Sequence, residues 1–306
     1  MLKTLFRSSS RPVRGSFDSF RVTDTQKHKL FLSVGAMKAS TSWMYQVLSH
    51  HPDIRFTYQK ELHYFAYKYG VTELLNDQAR INSSQTFLSF ENETNIDYIK
   101  QTAEWVTKYL KPPTNDKWFL DLFEAANEDC YLSDFSNLTC FISEYAWNDI
   151  FTNFKDVKVL YTMRNPMERL WSHAKFHIAI SSNGNDSINN WQANDIEKLV
   201  RQKFIWKNAE YSKIVKRLQK CIPTDKLKLS FCDDIHVNER SWLNQLEDFL
   251  ELPHHQYSDE LVNTKINVSE KYSMPTWFID TFAKDIQTIQ TELYELGLQL
   301  PPKWKE

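Results

Sequence analysis

The run LFLSVGAMKASTSWMYQVLSHHPDI, residues 30–54, limits what the chain can become more than any other stretch. Five apolar or small residues lead into Gly35. Lys38, Ser40, Thr41 and Ser42 form a short polar loop, and Trp43 to Leu48 follow with an apolar helical pattern. Strand, tight loop and helix in this order are the building unit of α/β sheets. Such a loop points backbone N–H groups and a helix N-terminus at one spot, which attracts an anion. Lys38 adds a full positive charge and the hydroxyls add donors. Gly35 is one of five glycines in 306 residues, and glycine at this junction permits a positive φ and close approach of backbone to ligand. The spacing is Gly-x-x-Lys-x-Ser-Thr. It lacks the second glycine of the common nucleotide loop, so it is not a standard ATP or GTP site. The loop's own residues leave two readings open: an anion cradle, or an ordinary turn capped by Ser40 or Thr41.

The rest of the chain repeats the alternation. Strands are expected near 30–35, 54–58, 118–122 (WFLDL), 157–163 and 227–231. Helices are expected near 96–110, 141–154, 167–178, 195–202, 208–221, 239–250 and 276–296. This pattern predicts an α/β fold of three α/β/α layers, with a central, mostly parallel sheet of about five strands. No Pro/Gly/Ser-rich linker interrupts the interior. Residues 29–306 are therefore expected to form one domain behind a polar arm, 1–28, which reads either as a loose tail or as a transit-like segment. Ligands of such sheets bind beyond the carboxyl ends of the strands. The Lys38 loop, residues 59–65, Asp121 and Arg164 all fall at such ends.

Two of these stretches carry further chemistry. In KELHYF, residues 60–65, an extended backbone would put Glu61, His63 and Phe65 on one face. A carboxylate beside an imidazole is an acid/base pair, or else a surface Glu near a satisfied His. In the run 157–178, Arg164 ends a strand, Pro166 suits the first helical turn, and Ser172 lies two turns on. A polar loop at 181–190 is either a substrate contact or a surface excursion, and 263–275 is a second polar loop.

Composition removes other classes. The net charge of −2 gives no reason to invoke nucleic acid. No apolar run has the length of a membrane span. Cys130, Cys140, Cys221 and Cys232 show neither CxxC nor zinc spacing, so they read as thiols in a reducing compartment. No Asp-rich metal motif is present. Ten tryptophans would suit stacking on sugar rings or plain core packing.

With these segments laid out, the chain resembles the sulfotransferases that use 3′-phosphoadenosine 5′-phosphosulfate (PAPS). GAMKASTSW at 35–43 looks like their 5′-phosphosulfate loop, and MRNPMERLWS at 163–172 looks like their 3′-phosphate segment. KELHYF is similar to the KE-x-HFF stretch of the heparan-sulfate-type branch. Weaker similarity runs through HPDI at 51–54, WFLDL, KNAEYSKIVKRL at 207–218 and NVSEKYSMP at 267–275. The resemblance implies that Lys38, Ala39, Ser40, Thr41, Ser42 and Trp43 hold the phosphosulfate, and that Arg164 and Ser172 bind the 3′-phosphate. It further implies that Glu61 is the catalytic base, with Lys38 assisting, and that His63 contacts the acceptor. Lys271 and Tyr272 would belong to a loop that closes over the nucleotide, with Tyr211 near the adenine. The chain departs from the pattern at Asp121, where the heparan-type branch carries a second Lys. The implied reaction moves a sulfuryl group from PAPS to an acceptor hydroxyl on a carbohydrate. It leaves adenosine 3′,5′-bisphosphate and requires no metal. A kinase-like or other nucleotide-binding protein using ATP–Mg²⁺ is the alternative, and a non-catalytic binding module is a third. The expected location is cytoplasmic.

Overall fold

The computed structural model describes residues 25–91, 93–123, 128–181, 187–264, 266 and 272–304. Its strands are β1 (Lys29–Ser33), β2 (Ile54–Phe56), β3 (Tyr131–Phe135), β4 (Asp156–Met163) and β5 (Leu227–Phe231). They form a five-stranded parallel sheet in the order β2-β3-β1-β4-β5. β1 and β2 both pair in parallel with β3, with Lys29 and Ile54 each opposite Tyr131. Burial follows position in the sheet. β1, β3 and β4 are buried almost throughout, while β5 and β2 are half exposed. Strands covered on both faces read as continuous apolar runs, and FLS in β1 and VLYTM in β4 read that way.

One strand differs from the expectation. WFLDL lies in a short helix, Asp116–Asp121. Asn115 caps that helix, its side-chain oxygen accepting the N–H of Trp118 at 3.0 Å, and Asp116 favours the first turn electrostatically. Trp118 and Phe119 are buried, but Asp121 is half-exposed and paired with Lys117 at 2.8 Å one turn away. Asp121 therefore does not end a strand. The strand is β3, in which Ser133 and Asp134 interrupt the apolar run while being buried themselves.

The chain divides into two compact units. One comprises the described residues up to Val34 with Leu48–Val159; the other comprises Gly35–Val47 with the described residues from Leu160 onward. The first has an aromatic core: Tyr64 stacks on Phe119 at 4.8 Å and Trp105 on Tyr109 at 4.9 Å. Such pairs add about 0.5–1.5 kcal/mol beyond the area they bury. In the second, Trp171 packs edge-on against Phe278 of the helix Thr276–Glu295. Seven of the ten tryptophans are buried, so most of them serve the core rather than a sugar-stacking surface. All four cysteines are free thiols. Among the described residues no helix is long and apolar enough to cross a membrane.

Candidate active site

The second unit holds the residues expected to meet the phosphosulfate and the 3′-phosphate. Directly after β1, the loop is stitched to β4 by two backbone hydrogen bonds: Ala36 N–H to Thr162 O at 2.7 Å, and Thr162 N–H to Gly35 O at 2.8 Å. Gly35 has φ 128°, and a Cβ there would stand 3.1 Å from Cε2 of Tyr161. Lys38 and Ser40 also adopt positive φ, at 69° and 59°. Non-glycine residues rarely accept this conformation, and it concentrates at ligand clamps. The helix Thr41–Leu48 then begins, and its first N–H groups face back into the loop because no earlier turn exists to accept them. Trp43 anchors that start, donating its indole N–H to Val262 O at 2.9 Å and meeting Trp242 edge-on. Ala39 is fully buried, while Ser40, Thr41 and Ser42 are half-buried. The Lys38 ammonium lies over the ring of Phe176 at 4.6 Å.

β4 delivers the other half. Arg164 follows it, and the helix Pro166–Ser181 carries Ser172, which is half-buried. The backbone of Arg164 is clamped by Tyr211, whose hydroxyl accepts the Arg164 N–H at 3.4 Å and donates to the Arg164 carbonyl at 3.1 Å. Tyr211 is fully buried, and burial pushes its hydroxyl up to about 12. It braces Arg164 from beneath and exposes no ring face. The Arg164 guanidinium rests on Glu168 Oε2, at 3.0 Å from Nε and 2.9 Å from Nη2. Tyr272 meets this segment through its carbonyl, which accepts the indole N–H of Trp171 at 3.3 Å. Lys271 lies outside the described residues, as do residues 182–186 of the polar loop after the helix.

Positive charge is crowded here. Lys175 titrates below its usual range because of burial and then Arg164. Buried Arg169 is lowered by burial. His173 is lowered by burial and then Arg169, His177 by burial and then Lys38. Lys175 is not among the residues expected from the sequence, although its place three residues after Ser172 is a usable signal.

The first unit holds Glu61 and His63, the pair expected to do acid/base work. The expected extended stretch 60–65 is absent: Glu61 and His63 have φ 59° and 61°, and a helix starts at Tyr64. The pairing of the two side chains survives by another route, with His63 Nε2 3.6 Å from Glu61 Oε2. The segment after β3 holds them. Phe135 O accepts the Glu61 N–H at 3.1 Å, Asn137 donates its N–H to Glu61 Oε2 at 2.9 Å, and Ser136 Oγ accepts the His63 N–H at 2.8 Å. Lys60 pairs with the other carboxylate oxygen at 3.1 Å. Ser136 in turn donates to Asp134 Oδ1 at 2.6 Å. Nothing in the sequence marks Asp134 as part of this group. It is buried, which pushes its carboxyl up to about 7 against the pull of Ser136, with Glu61 adding to the rise. His63 is lowered by burial, so its imidazole is neutral at pH 7. Among the described residues no His/Cys/Asp/Glu group is arranged to hold a metal ion.

Known proteins share this architecture. A sulfotransferase crystallised from Alicyclobacillus acidocaldarius matches with a TM-score of 0.61 and 18% identity, over 91% of this chain and 99% of that one. The sulfotransferase domain of the Synechococcus PCC 7002 olefin synthase matches with a TM-score of 0.51 and 13% identity, over 93% and 100%. At these identities they speak for the fold alone. No curated protein gives a significant match. The model of the sulfotransferase family, however, matches residues 31–256, a span that takes in the Lys38 loop, Glu61, Arg164 and Ser172, and the chain belongs to that family.

Proposed function

We propose that the protein transfers a sulfuryl group from PAPS to a carbohydrate hydroxyl. The observation that carries this reading is the gathering of cationic groups in the second unit: Arg169 and Lys175 are lowered by burial first and by Arg164 as well, and His177 by burial first and Lys38 second. A polyanion relieves that cost. The phosphosulfate belongs with Lys38, Ser40, Thr41, Ser42 and the N–H groups of residues 39–43. The 3′-phosphate belongs with Arg164 and Ser172, and Tyr272, with Lys271 before it in the sequence, is assigned to the nucleotide. Sulfuryl transfer, like phosphoryl transfer, is governed by positioning and charge stabilisation. Lys38 offsets charge on the leaving bisphosphate. Glu61, held by Asn137 and Lys60, takes the acceptor's proton, and neutral His63 helps orient the acceptor. The likeness of KELHYF to the heparan-type stretch supports a sugar acceptor. The free thiols fit a reducing, cytoplasmic setting.

Glu61→Gln should lower turnover by about 10²–10⁴-fold, the usual worth of a general base, and leave adenosine 3′,5′-bisphosphate binding intact. Near-normal turnover would remove Glu61 from that role. A thermal-shift comparison tests the cradle itself: adenosine 3′,5′-bisphosphate should stabilise the protein, and stabilisation by ATP–Mg²⁺ alone would favour the nucleotide-binding alternative. A panel of glycans with labelled PAPS identifies the acceptor.

A further inference from the structure

The helix Pro166–Ser181 carries polar side chains that this reaction leaves unused. Arg169, His173 and His177 recur every four residues and so share one face. Nη1 of fully buried Arg169 is 3.0 Å from Nδ1 of His173, and Nε2 of His173 is 2.9 Å from Nε2 of His177. A guanidinium only donates, so Nδ1 of His173 accepts and its proton sits on Nε2. That N–H donates to Nε2 of His177, which leaves the His177 proton on Nδ1. The chain therefore runs one way, from a buried cation to a neutral imidazole of fixed tautomer. Nδ1 of His177 has no partner among the described residues. The His177 ring packs against Phe204 at 5.0 Å and Phe176 at 5.7 Å. Phe176 is the ring that carries the Lys38 ammonium at 4.6 Å.

We propose that Arg169 and His173 position His177 so that its Nδ1–H serves as a second, uncharged donor beside Lys38 for the 5′-phosphosulfate. This rests on the assignment of Lys38 to that group. Arg169 and His173 touch no co-substrate; they set the tautomer and the ring orientation. A neutral donor adds a hydrogen bond without adding to the crowding of positive charge. The charged groups facing His177 are Lys38 from the loop and Arg169, through His173, from its own helix. Burial first and Lys38 second hold His177 down to about 4, and His173 is lowered too, so both imidazoles stay neutral and the chain stays intact at pH 7.

The tautomer is read without ligand, by NMR of the ¹⁵N-histidine-labelled protein at pH 7. His177 should be protonated on Nδ1 and His173 on Nε2; a His177 protonated on Nε2 overturns the proposal. Binding of adenosine 3′,5′-bisphosphate is the second readout. His177→Phe and His177→Gln should each weaken it about tenfold, the loss expected of one hydrogen bond to a charged group. His177→Asn places an amide N–H where Nδ1 stood and should bind within about threefold of wild type. Equal binding by all three variants, or equal loss in all three, overturns the donor role while leaving the Lys38 assignment standing. A wild-type protein that does not bind the bisphosphate overturns both.

Discussion

Arg164 is held by an acid of the helix that follows it. Its pair with Glu168 is exposed on both sides, and such pairs are worth about 0–1 kcal/mol, so a phosphate displaces Glu168 easily and takes up the guanidinium fork. Glu168→Gln should therefore tighten adenosine 3′,5′-bisphosphate binding by about two- to fivefold at low salt. Arg164→Lys, a point charge without the fork, should weaken it by about tenfold. Titration calorimetry that finds both variants unchanged would detach Arg164 from the 3′-phosphate. Asp134 makes a prediction of a different kind. Its folded pKa of about 7 stands above the ordinary carboxylate value, so the folded state binds the extra proton. The stability this gives is full below about pH 4 and is lost as pH rises through about 7, on the order of a few kcal/mol by linkage. Asp134→Asn keeps an acceptor for Ser136 and should flatten that loss in denaturant titrations at pH 4 to 8. An unchanged slope would mean that Asp134 ionises freely. The placement of Lys38 and Arg164 after strands is legible in the sequence because each sits in a strand–loop–helix run whose local pattern announces it. Asp134 is not, because its importance arises only when β3 is brought against residues 61–63, some seventy positions away.

At the scale of elements, the β1 loop and β4 are legible for the same local reason. β3 is not: a strand buried on both faces normally reads as apolar, and YLSDF carries Ser133 and Asp134. WFLDL reads as a strand only if the cap at Asn115 is overlooked, and short apolar runs do not by themselves separate strand from helix. Strand alternation predicts the Glu61–His63 pairing, yet the pairing is produced by two left-handed residues and by hydrogen bonds from the segment after β3. The loop after β1 depends on its glycine in a way that can be measured. At Gly35 the φ of 128° strains any side chain, and a Cβ 3.1 Å from the Tyr161 ring requires that ring to give way. Gly35→Ala should cost about 1–3 kcal/mol, the range for a residue forced into a disfavoured backbone region, and should weaken bisphosphate binding as the loop shifts. Chemical denaturation and calorimetry read the two effects. Wild-type values in both would show that the loop tolerates the methyl group and that Gly35 is not what shapes it.

The whole molecule raises the question of cooperativity. The division between the two units falls after Val34, after Val47 and again inside β4, between Val159 and Leu160. A strand split in this way cannot be wholly kept by one unit while the other unfolds. We therefore propose that residues 29–306 fold as one domain, as the uninterrupted strand–helix alternation in the sequence implies. Tryptophan supplies reporters on both sides: Trp105, Trp118 and Trp147 in one unit, and Trp171, Trp242 and Trp304 in the other, all buried. Variants that keep the tryptophans of one unit alone should melt at the same midpoint as each other and as the far-ultraviolet circular dichroism. Adenosine 3′,5′-bisphosphate is assigned to residues of the second unit only. At 100 times its dissociation constant it adds about 2.7 kcal/mol to whatever unfolds together with its site. In a one-domain protein both sets of tryptophans must move to higher temperature by the same amount. Two transitions, of which only the second unit's moves with ligand, would show the units to be separate domains.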